Sequence, residues 1–321
     1  MDESGQEIHS LIRELGSQRK AALYLGIPES TLRAKILGDK TKSLSEEVDR
    51  LRGKIASLEK SKPRYIAGKD DGTRIVAIGD THDSPNMDKE RFKWIARYCV
   101  DKKPDRIIHI GDFACWDSVS THEPIGSYAH SLRPSFKSDL ESCEEAMCLF
   151  YKEMGDLIIP MELCEGNHEE RITRFENKSP ETVGTLYNQF QELASRYRWR
   201  THPFGQWLFI DGVGFTHVPK NIMGKPFGGQ NPENQIANAA THSIVFGHTH
   251  RIGYRKAPKV GINNSVEILN LGSAMPEGYI AKYAGTSTTG WSYGIFDLTI
   301  KQGHIVSHNH INMLQLERDY R

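Results

Sequence analysis

Carboxylate, imidazole and amide side chains recur in five short motifs between residues 80 and 250. In chain order the motifs are Asp80-Thr81-His82, Gly111-Asp112, Gly166-Asn167-His168-Glu169, His217 and Gly247-His248-Thr249-His250. Oxygen and imidazole donors of this kind suit Mn²⁺, Fe or Zn²⁺ better than the thiolate donors of a structural zinc site would. The motifs therefore predict a metal centre assembled from residues that are far apart in the sequence.

The number of possible donors favours two ions. Seven side chains in the motifs could bind a metal, namely Asp80, His82, Asp112, Asn167, His217, His248 and His250. One ion takes roughly four to six ligands, some of them water, so this set suits two ions that share a bridging carboxylate. Asp80 and His82 are two residues apart, so both side chains can point to the same side of a strand end. His248 and His250 have the same spacing, but in an irregular loop they can separate and bind different ions.

Short β-rich apolar runs precede the motifs and must position them. Runs that lead to a motif cover residues 74–78, 106–110, 157–164, 213–216 and 243–246. The run 206–210 is predicted to pair with 213–216 in a hairpin around Asp211-Gly212. Further strands are predicted at 266–271, 292–300 and 304–310, and helices at 89–100, 138–152 and 181–196.

This order of elements predicts an α/β fold. Early strands alternate with helices and later strands follow one another, which favours sheets packed face to face with helices outside. In α/β proteins, ligands bind in loops at the carboxyl ends of the strands. The motifs are therefore expected to meet at one edge of the sheets.

The motif order DxH, GD, GNHE, H and GHTH resembles that of the calcineurin-like metallophosphoesterases over about Thr73 to Arg251. This family includes phosphoprotein phosphatases, cyclic-nucleotide phosphodiesterases and SbcD-type repair nucleases. The segments around Gly111-Asp112-Phe113-Ala114 and residues 165–171 are especially similar to phosphoesterases encoded by bacterial viruses. The resemblance implies an αββα two-sheet sandwich.

The resemblance also implies a role for each motif residue. It implies that one metal ion is bound by Asp80, His82 and His250. It implies that the other is bound by Asn167, His217 and His248. Asp112 resembles the family's bridging aspartate, and His168 resembles its catalytic histidine, which is not a metal ligand. The chain departs from the family at one point, because Phe113-Ala114-Cys115-Trp116 stands where many members have a supporting acidic residue.

The expected reaction is hydrolysis of a phosphoric ester at two divalent ions, Mn²⁺ in first place and Fe, Zn²⁺ or Ni²⁺ as alternatives. Two metal ions lower the pKa of a shared water, and the resulting metal-bound hydroxide attacks phosphorus in line. Arg171 or Arg174 is expected to offset charge on the phosphoryl oxygens, and His168 to protonate or hydrogen-bond the departing oxygen.

Two long segments could shape the substrate site. The insertion 113–135 contains His122, a candidate for substrate contact, and aromatics such as Trp116 that could stack on a base or form a hydrophobic plug. The glycine-rich segment 221–235 follows the ligand histidine His217.

The composition is that of an ordinary globular protein. The chain has 321 residues, with 41 Lys+Arg and 41 Asp+Glu, so its formal net charge is zero. This balance argues against a surface that coats nucleic acid or anionic membrane over its whole extent. The N-terminus lacks an apolar core, no apolar run is long enough to span a membrane, and the five cysteines form no CxxC pair. We therefore expect a cytoplasmic protein of a bacterium or a phage-infected host cell, with no membrane partner.

Residues 1–42 are predicted to form a small all-α domain. Helical patterns before Gly16, from Ser17 to Leu25 and from Pro28 to Leu37 follow the plan of a helix-turn-helix. Residues 16–36 resemble the DNA-binding helix-turn-helix of the Fis type, and residues 17–42 carry six basic side chains against two acidic ones. The candidate DNA contacts are Arg19, Lys20, Ser30, Thr31, Arg33 and Lys35. A small helical bundle that binds protein, or nothing, is the alternative.

Residues 43–68 are predicted to be a helical linker, and residues 69–321 the metallophosphoesterase domain. Within the linker, a stripe typical of a short coiled coil consists of Leu44, Val48, Leu51, Ile55 and Leu58. The stripe could join two chains into a homodimer through residues 44–58. Two heptads alone are marginal in water, so packing of the stripe on the large domain is the alternative.

Two substrate classes are open. A complete metal site joined to a DNA-binding domain favours a phosphodiesterase that cuts DNA. Such a domain raises the local concentration of phosphodiester at the active site. The alternative is a phosphomonoesterase, acting on a phosphoprotein or a nucleotide, with a regulatory DNA-binding domain. A DNA-binding regulator with an inactive enzyme domain is disfavoured, because no ligand position is missing.

Overall fold

We describe the fold from a computed structural model of the chain. It describes residues 11–36, 62–121, 123–124, 126–178, 180–261, 264–281, 284–285 and 289–321. The chain divides into two compact units, Met1–Lys60 and Ser61–Arg321. The predicted coiled coil of residues 44–58 and the candidate substrate contact His122 lie outside the described residues. No helix among the described residues is long and apolar enough to cross a bilayer.

The smaller unit contains three helical segments among its described residues. They are α1 (residues 11–15), α2 (Gln18–Tyr24) and α3 (residues 29–36). The Ser17 side chain caps α2 by accepting a hydrogen bond from the backbone N–H of Lys20. Among the described residues of this unit, the buried core consists of Ala21, Ala22, Leu32 and Ile36. The six candidate DNA contacts are all exposed, and DNA binding by this unit stays a prediction.

The larger unit is built on two six-stranded mixed sheets. Its described strands are β1 (Arg64–Ile66), β2 (Thr73–Ile78), β3 (Arg106–His109), β4 (Met161–Cys164), β5 (Trp199–His202), β6 (Leu208–Ile210), β7 (Val213–Phe215), β8 (Ile244–Phe246), β9 (Ile252–Pro258), β10 (Ser265–Leu271), β11 (Gly294–Lys301) and β12 (His304–Asn312). Sheet 1 has the order β1-β6-β7-β8-β10-β9, and sheet 2 has the order β12-β11-β2-β3-β4-β5.

Helices cover the outer faces of both sheets. The described helices are α4 (Glu90–Lys102), α5 (Tyr128–Ser131), α6 (Phe136–Met154), α7 (Glu169–Glu176), α8 (Thr185–Arg196), α9 (Pro232–Ala239) and α10 (Met313–Tyr320). Helices α4, α6, α8 and α10 share a hydrophobic core with sheet 2, and α9 packs on β9 and β10 of sheet 1.

The alternation of side chains explains why residues 75–78 of β2 are all apolar. Ile75 and Ala77 belong to the core between the two sheets, whereas Val76 and Ile78 belong to the core between sheet 2 and its helices. Because successive side chains of a strand point to opposite faces, a strand that is covered on both sides has apolar side chains at successive positions. The layers agree with the predicted α/β sandwich of two sheets between helices.

The predicted hairpin is confirmed. Strands β6 and β7 pair antiparallel, and the two turn residues Asp211 and Gly212 have φ angles of +47° and +83°. A two-residue hairpin turn with positive φ at both positions favours Asp-Gly.

The structure differs from the prediction at the end of the linker 43–68. Residues Arg64–Ile66 form β1 and pair in parallel with β6, so this part of the predicted helix is a strand of sheet 1. Pro63 has no N–H and disfavours a helix at this point, and the N–H of Arg64 donates to the Trp207 carbonyl instead. Helix α9 also begins inside the segment 221–235, which had no predicted element.

The insertion 113–135 packs on the core through Trp116. This indole is fully buried, with its ring centroid 5.7 Å from that of Phe136 in a stacked pair and 5.4 Å from that of Phe190 in an edge-on pair. Of the two interpretations of the aromatics in the insertion, hydrophobic packing is therefore correct for Trp116.

Candidate metal centre

The predicted motifs follow the ends of five strands and lie close together in the folded chain. In sheet 2, the parallel strands β2, β3 and β4 are followed by Asp80, Asp112 and Asn167. In sheet 1, the parallel strands β7 and β8 are followed by His217 and His248. Since parallel neighbours end at the same edge of a sheet, residues distant in sequence come into contact there. All seven predicted donors lie in this cluster.

The first donor group consists of Asp80, His82 and His250. One ligand atom of each lies within 4.8 Å of the others. Asp80 Oδ2 is 3.1 Å from Nε2 of His250 and 4.0 Å from Nε2 of His82, and the two Nε2 atoms are 2.9 Å apart. All three side chains are buried, so their polar atoms face one another instead of water.

The second donor group consists of Asp112, His217 and His248, again with ligand atoms within 4.8 Å of one another. Asn167 adds an amide oxygen, because its Oδ1 is 3.1 Å from Nε2 of His217. Nδ1 of His217 donates to the Ile110 carbonyl at 3.1 Å. This hydrogen bond fixes the tautomer and directs the Nε2 lone pair into the group.

Asp112 belongs to the second group and also faces the first. Its Oδ2 is 3.2 Å from Nε2 of His217 and 3.7 Å from Nε2 of His82, which is one nitrogen from each group. Its Oδ1 accepts the backbone N–H of His168 at 2.8 Å, so the orientation of the carboxylate is fixed. A carboxylate oxygen that faces both groups has the position that a bridging ligand needs.

The donor set fits two divalent cations. Buried nitrogen and oxygen lone pairs at these separations repel one another unless a proton or a cation lies between them. Carboxylate, imidazole and amide donors suit Mn²⁺, Fe and Zn²⁺. The two groups could each hold one ion, with Asp112 shared between them.

Backbone strain is concentrated at the donors. The φ angles of His82, Asp112, His248 and His250 are +45°, +50°, +72° and +58°. Residues other than glycine rarely adopt these angles, which cost about 1–3 kcal/mol each and occur preferentially at functional sites. The strained turns bend the chain directly after the strands, so that the side chains face inward.

Glu169 accepts backbone hydrogen bonds from two loops of the site. Its fully buried carboxylate accepts the N–H groups of Gly166, Asp112 and Phe113 at 2.8–2.9 Å. The loop after β3 is thereby held against the start of α7. The only sequence signal for this residue was its place beside His168 in the GNHE motif.

His168 and Arg171 form a hydrogen-bonded pair beside the donors. Nδ1 of His168 donates to the Cys115 carbonyl at 2.9 Å, and its Nε2 accepts from the Arg171 guanidinium at 3.0 Å. Arg171 also donates to Asp117 at 3.2 Å. Nε2 of His168 is 3.9 Å from Asp112 Oδ2. His168 is thus positioned by the Cys115 carbonyl directly and by Asp117 through Arg171.

Burial keeps most of the imidazoles neutral. It lowers the pKa values of His82 and His168, and with the charge of His217 it lowers the pKa of His248 to about 4. Burial opposes a charge on His217 as well, but the surrounding carboxylates, Asp112 first, raise its pKa to about 9. Neutral imidazole is the form that binds metal ions, so an ion at Asp112 would displace the proton of His217.

Two further side chains lie close to the donors. Arg174, a predicted substrate contact, donates to the Asn167 carbonyl at 3.3 Å and pairs with Glu170 at 3.1 Å. Cys115, which no sequence motif singled out, has its Sγ 3.9 Å from Nδ1 of His82. Burial raises the pKa of the Cys115 thiol, which favours the protonated form of the sulfur.

Replacing Gly166 with alanine should weaken metal binding. The added Cβ would lie 2.1 Å from Asp112 Oδ1, so the carboxylate must move. We expect Mn²⁺ affinity to fall about 10–100-fold and the free energy of unfolding to fall by about 1–3 kcal/mol, measured by titration calorimetry and urea unfolding. Gly228→Ala, where a Cβ meets nothing within 4 Å, is the matched control. Unchanged Mn²⁺ affinity in Gly166→Ala would contradict the assignment of Asp112.

The sequence matches the model of a known protein family. The model described as calcineurin-like phosphoesterase matches residues 73–252. This span is more than half of the chain, and it contains both donor groups and His168. The chain belongs to the calcineurin-like phosphoesterases. It is therefore a metal-dependent phosphoester hydrolase by family, and the family's divalent ions have candidate ligands in the two donor groups.

Relatives of this phosphoesterase occur in bacteriophages. Gene 54 protein of Mycobacterium phage L5 is 26% identical over 252 residues, which cover 72% of this chain and 91% of that protein. Gene 54 protein of Mycobacterium phage D29 matches with the same identity and coverage. Matching solved structures include a predicted phosphoesterase of Streptococcus pneumoniae TIGR4, with 14% identity, coverage of 75% of this chain and 90% of that chain, and a TM-score of 0.33. The phosphoesterase Yfce of E. coli matches with 15% identity, coverage of 74% and 100%, and a TM-score of 0.32.

Proposed function

We propose that this phosphoesterase is a two-metal phosphodiesterase that cuts DNA. The main support for two ions is the carboxylate of Asp112, whose Oδ2 faces an imidazole nitrogen of each donor group. The support for DNA is the smaller unit, whose exposed polar and basic candidates are Arg19, Lys20, Ser30, Thr31, Arg33 and Lys35. A unit that holds DNA raises the concentration of phosphodiester at a tethered site.

The residues of the site divide the chemistry between them. Two divalent ions, Mn²⁺ in our proposal, would supply Lewis-acid activation of water and charge neutralisation at phosphorus. His168 gives a proton to the departing oxygen from Nε2, which requires that this nitrogen take up a proton in place of its hydrogen bond from Arg171. Arg171 and Arg174 stabilise the negative charge of the phosphoryl oxygens.

The biological setting is part of the proposal. We infer that the protein acts in the cytoplasm of a phage-infected bacterium, as a nuclease of the SbcD-like type, and the phage relatives support this setting. A homodimer formed through residues 44–58 would present two DNA-binding units.

A substrate panel tests the proposed function. With Mn²⁺ present, we expect turnover of bis-(p-nitrophenyl) phosphate and of a DNA oligonucleotide, slow turnover of p-nitrophenyl phosphate, and loss of all activity with a chelator. Turnover of the monoester with intact plasmid and oligonucleotide would reject the nuclease and favour a phosphomonoesterase with a regulatory DNA-binding unit. Repeating the panel with Fe²⁺, Zn²⁺ and Ni²⁺ tests the choice of Mn²⁺.

A further inference from the structure

A cleft of about 240 Å³ opens beside the second donor group. Asn167 and His248 form its border toward the donors, and Glu170, Arg174, Phe204 and Lys220 are among the other lining residues. The cleft is therefore continuous with the place where the scissile phosphate must lie if the donors bind the catalytic ions.

The net positive charge of the cleft comes from Lys220. Arg174 is already paired with Glu170 at 3.1 Å, so these two side chains largely offset each other. Among the described residues, no carboxylate lies within ion-pair distance of the exposed Lys220 ammonium group. An unpaired cation in a concave site attracts an anion.

Lys220 is held in place from two sides. Its ammonium nitrogen lies 4.7 Å from the ring centroid of Phe204, a cation–π contact. Its backbone pairs with Pro226 across a turn in which the Asn221 side chain accepts the N–H groups of Met223 and Lys225 at 2.9 and 3.1 Å. A cation fixed at the border of a reaction centre is typical of a binding site for a specific anion.

We propose that this cleft binds the phosphate next to the scissile one in a single DNA strand, with Lys220 as its main contact and Phe204 as the residue that positions Lys220. The inference rests on the proposed function and makes it more specific. A phosphomonoester or bis-(p-nitrophenyl) phosphate has no second phosphate, so neither can use Lys220. The cleft would thus favour a polynucleotide over a small ester by its effect on KM.

The test compares Lys220→Gln with wild type on a single-stranded DNA oligonucleotide and on bis-(p-nitrophenyl) phosphate. For DNA we expect KM to rise about tenfold with kcat little changed, because one charged contact is lost. The slope of log binding constant against log salt concentration should also fall in magnitude by about 0.7, the value for one phosphate contact on a single strand. For bis-(p-nitrophenyl) phosphate, kcat and KM should stay at the wild-type values.

Two further variants complete the test. Phe204→Leu should raise KM for DNA less than Lys220→Gln does, again with no effect on the small diester. Lys301→Gln is the matched control, because it also removes one lysine. Lys301 ends β11, which runs antiparallel to β2, so it lies far from the carboxyl end of β2. We expect kcat and KM for both substrates to stay at the wild-type values.

Equal effects of Lys220→Gln on both substrates, or no effect on DNA, would overturn the inference. A wild-type enzyme that hydrolyses p-nitrophenyl phosphate but not DNA would instead reject the proposed function, and the inference with it.

Discussion

Replacing Asp112 with asparagine should lower the kcat/KM for bis-(p-nitrophenyl) phosphate by about a thousandfold or more. The substitution keeps the shape of the side chain but removes the negative charge that faces both donor groups. Metal ions contribute several kcal/mol of transition-state stabilisation, and each 1.36 kcal/mol is about a factor of ten in rate. The measurement is steady-state turnover at saturating Mn²⁺, beside the Mn²⁺ content of each protein.

A matched control for this variant lies at the other end of the same strand. Asp105 immediately precedes β3, and its carboxylate accepts the N–H of Arg74 at 2.9 Å. Asp105→Asn removes the same charge far from the donors and should leave kcat/KM within about twofold of wild type. Wild-type turnover in Asp112→Asn would show that the hydrolysis does not depend on this carboxylate.

Replacing His168 with alanine should slow DNA cleavage about 10²–10⁴-fold, the usual contribution of a general acid. The loss on bis-(p-nitrophenyl) phosphate should be clearly smaller, because p-nitrophenolate leaves readily without a proton. Mn²⁺ content should be unchanged, since both imidazole nitrogens of His168 are engaged, one by the Cys115 carbonyl and the other by the Arg171 guanidinium. The comparison needs kcat for both substrates and the metal content of the same preparation.

The opposite pattern would assign His168 a different role. Equal losses on the two substrates would mean that this imidazole does not act on the leaving group. A loss of bound Mn²⁺ would mean that the imidazole itself helps to hold an ion, because alanine keeps the backbone N–H that His168 donates to Asp112.

The convergence of the donors could be predicted because it follows from backbone geometry. Asp80 and Asp112 come directly after apolar runs, and parallel strands must end at the same edge of their sheet. The Asp211-Gly212 turn was equally predictable, since only residues that tolerate positive φ fit there.

Elements that depend on tertiary pairing could not be predicted. Strand β1 has only three residues and is formed by its hydrogen bonds to β6, so its own sequence carries no strand pattern. Strand β9 is mostly exposed and includes Arg255 and Lys256, and its backbone is paired with β10. A regular spacing of apolar residues indicates which face of an element is buried. Neither β1 nor β9 buries a regular face, so neither strand has such a spacing.

Sequence pattern also could not distinguish the roles of neighbouring polar residues. Glu169 and Asn167 lie two positions apart in one motif, yet Glu169 accepts backbone N–H groups while the Asn167 oxygen faces His217. Lys220 and Phe204 are 16 positions apart and meet only in the folded cleft. Which partner a buried polar group finds is decided by packing, which spacing in the chain does not encode.

The two donor groups should bind two cations that share Asp112. Crystals of the protein soaked in Mn²⁺, with anomalous scattering recorded at a wavelength where manganese absorbs, would show the ions themselves. We expect two manganese peaks, one at Asp80, His82 and His250, the other at Asn167, His217 and His248, both in contact with the Asp112 carboxylate. A single peak, or two peaks that Asp112 does not touch, would contradict this expectation.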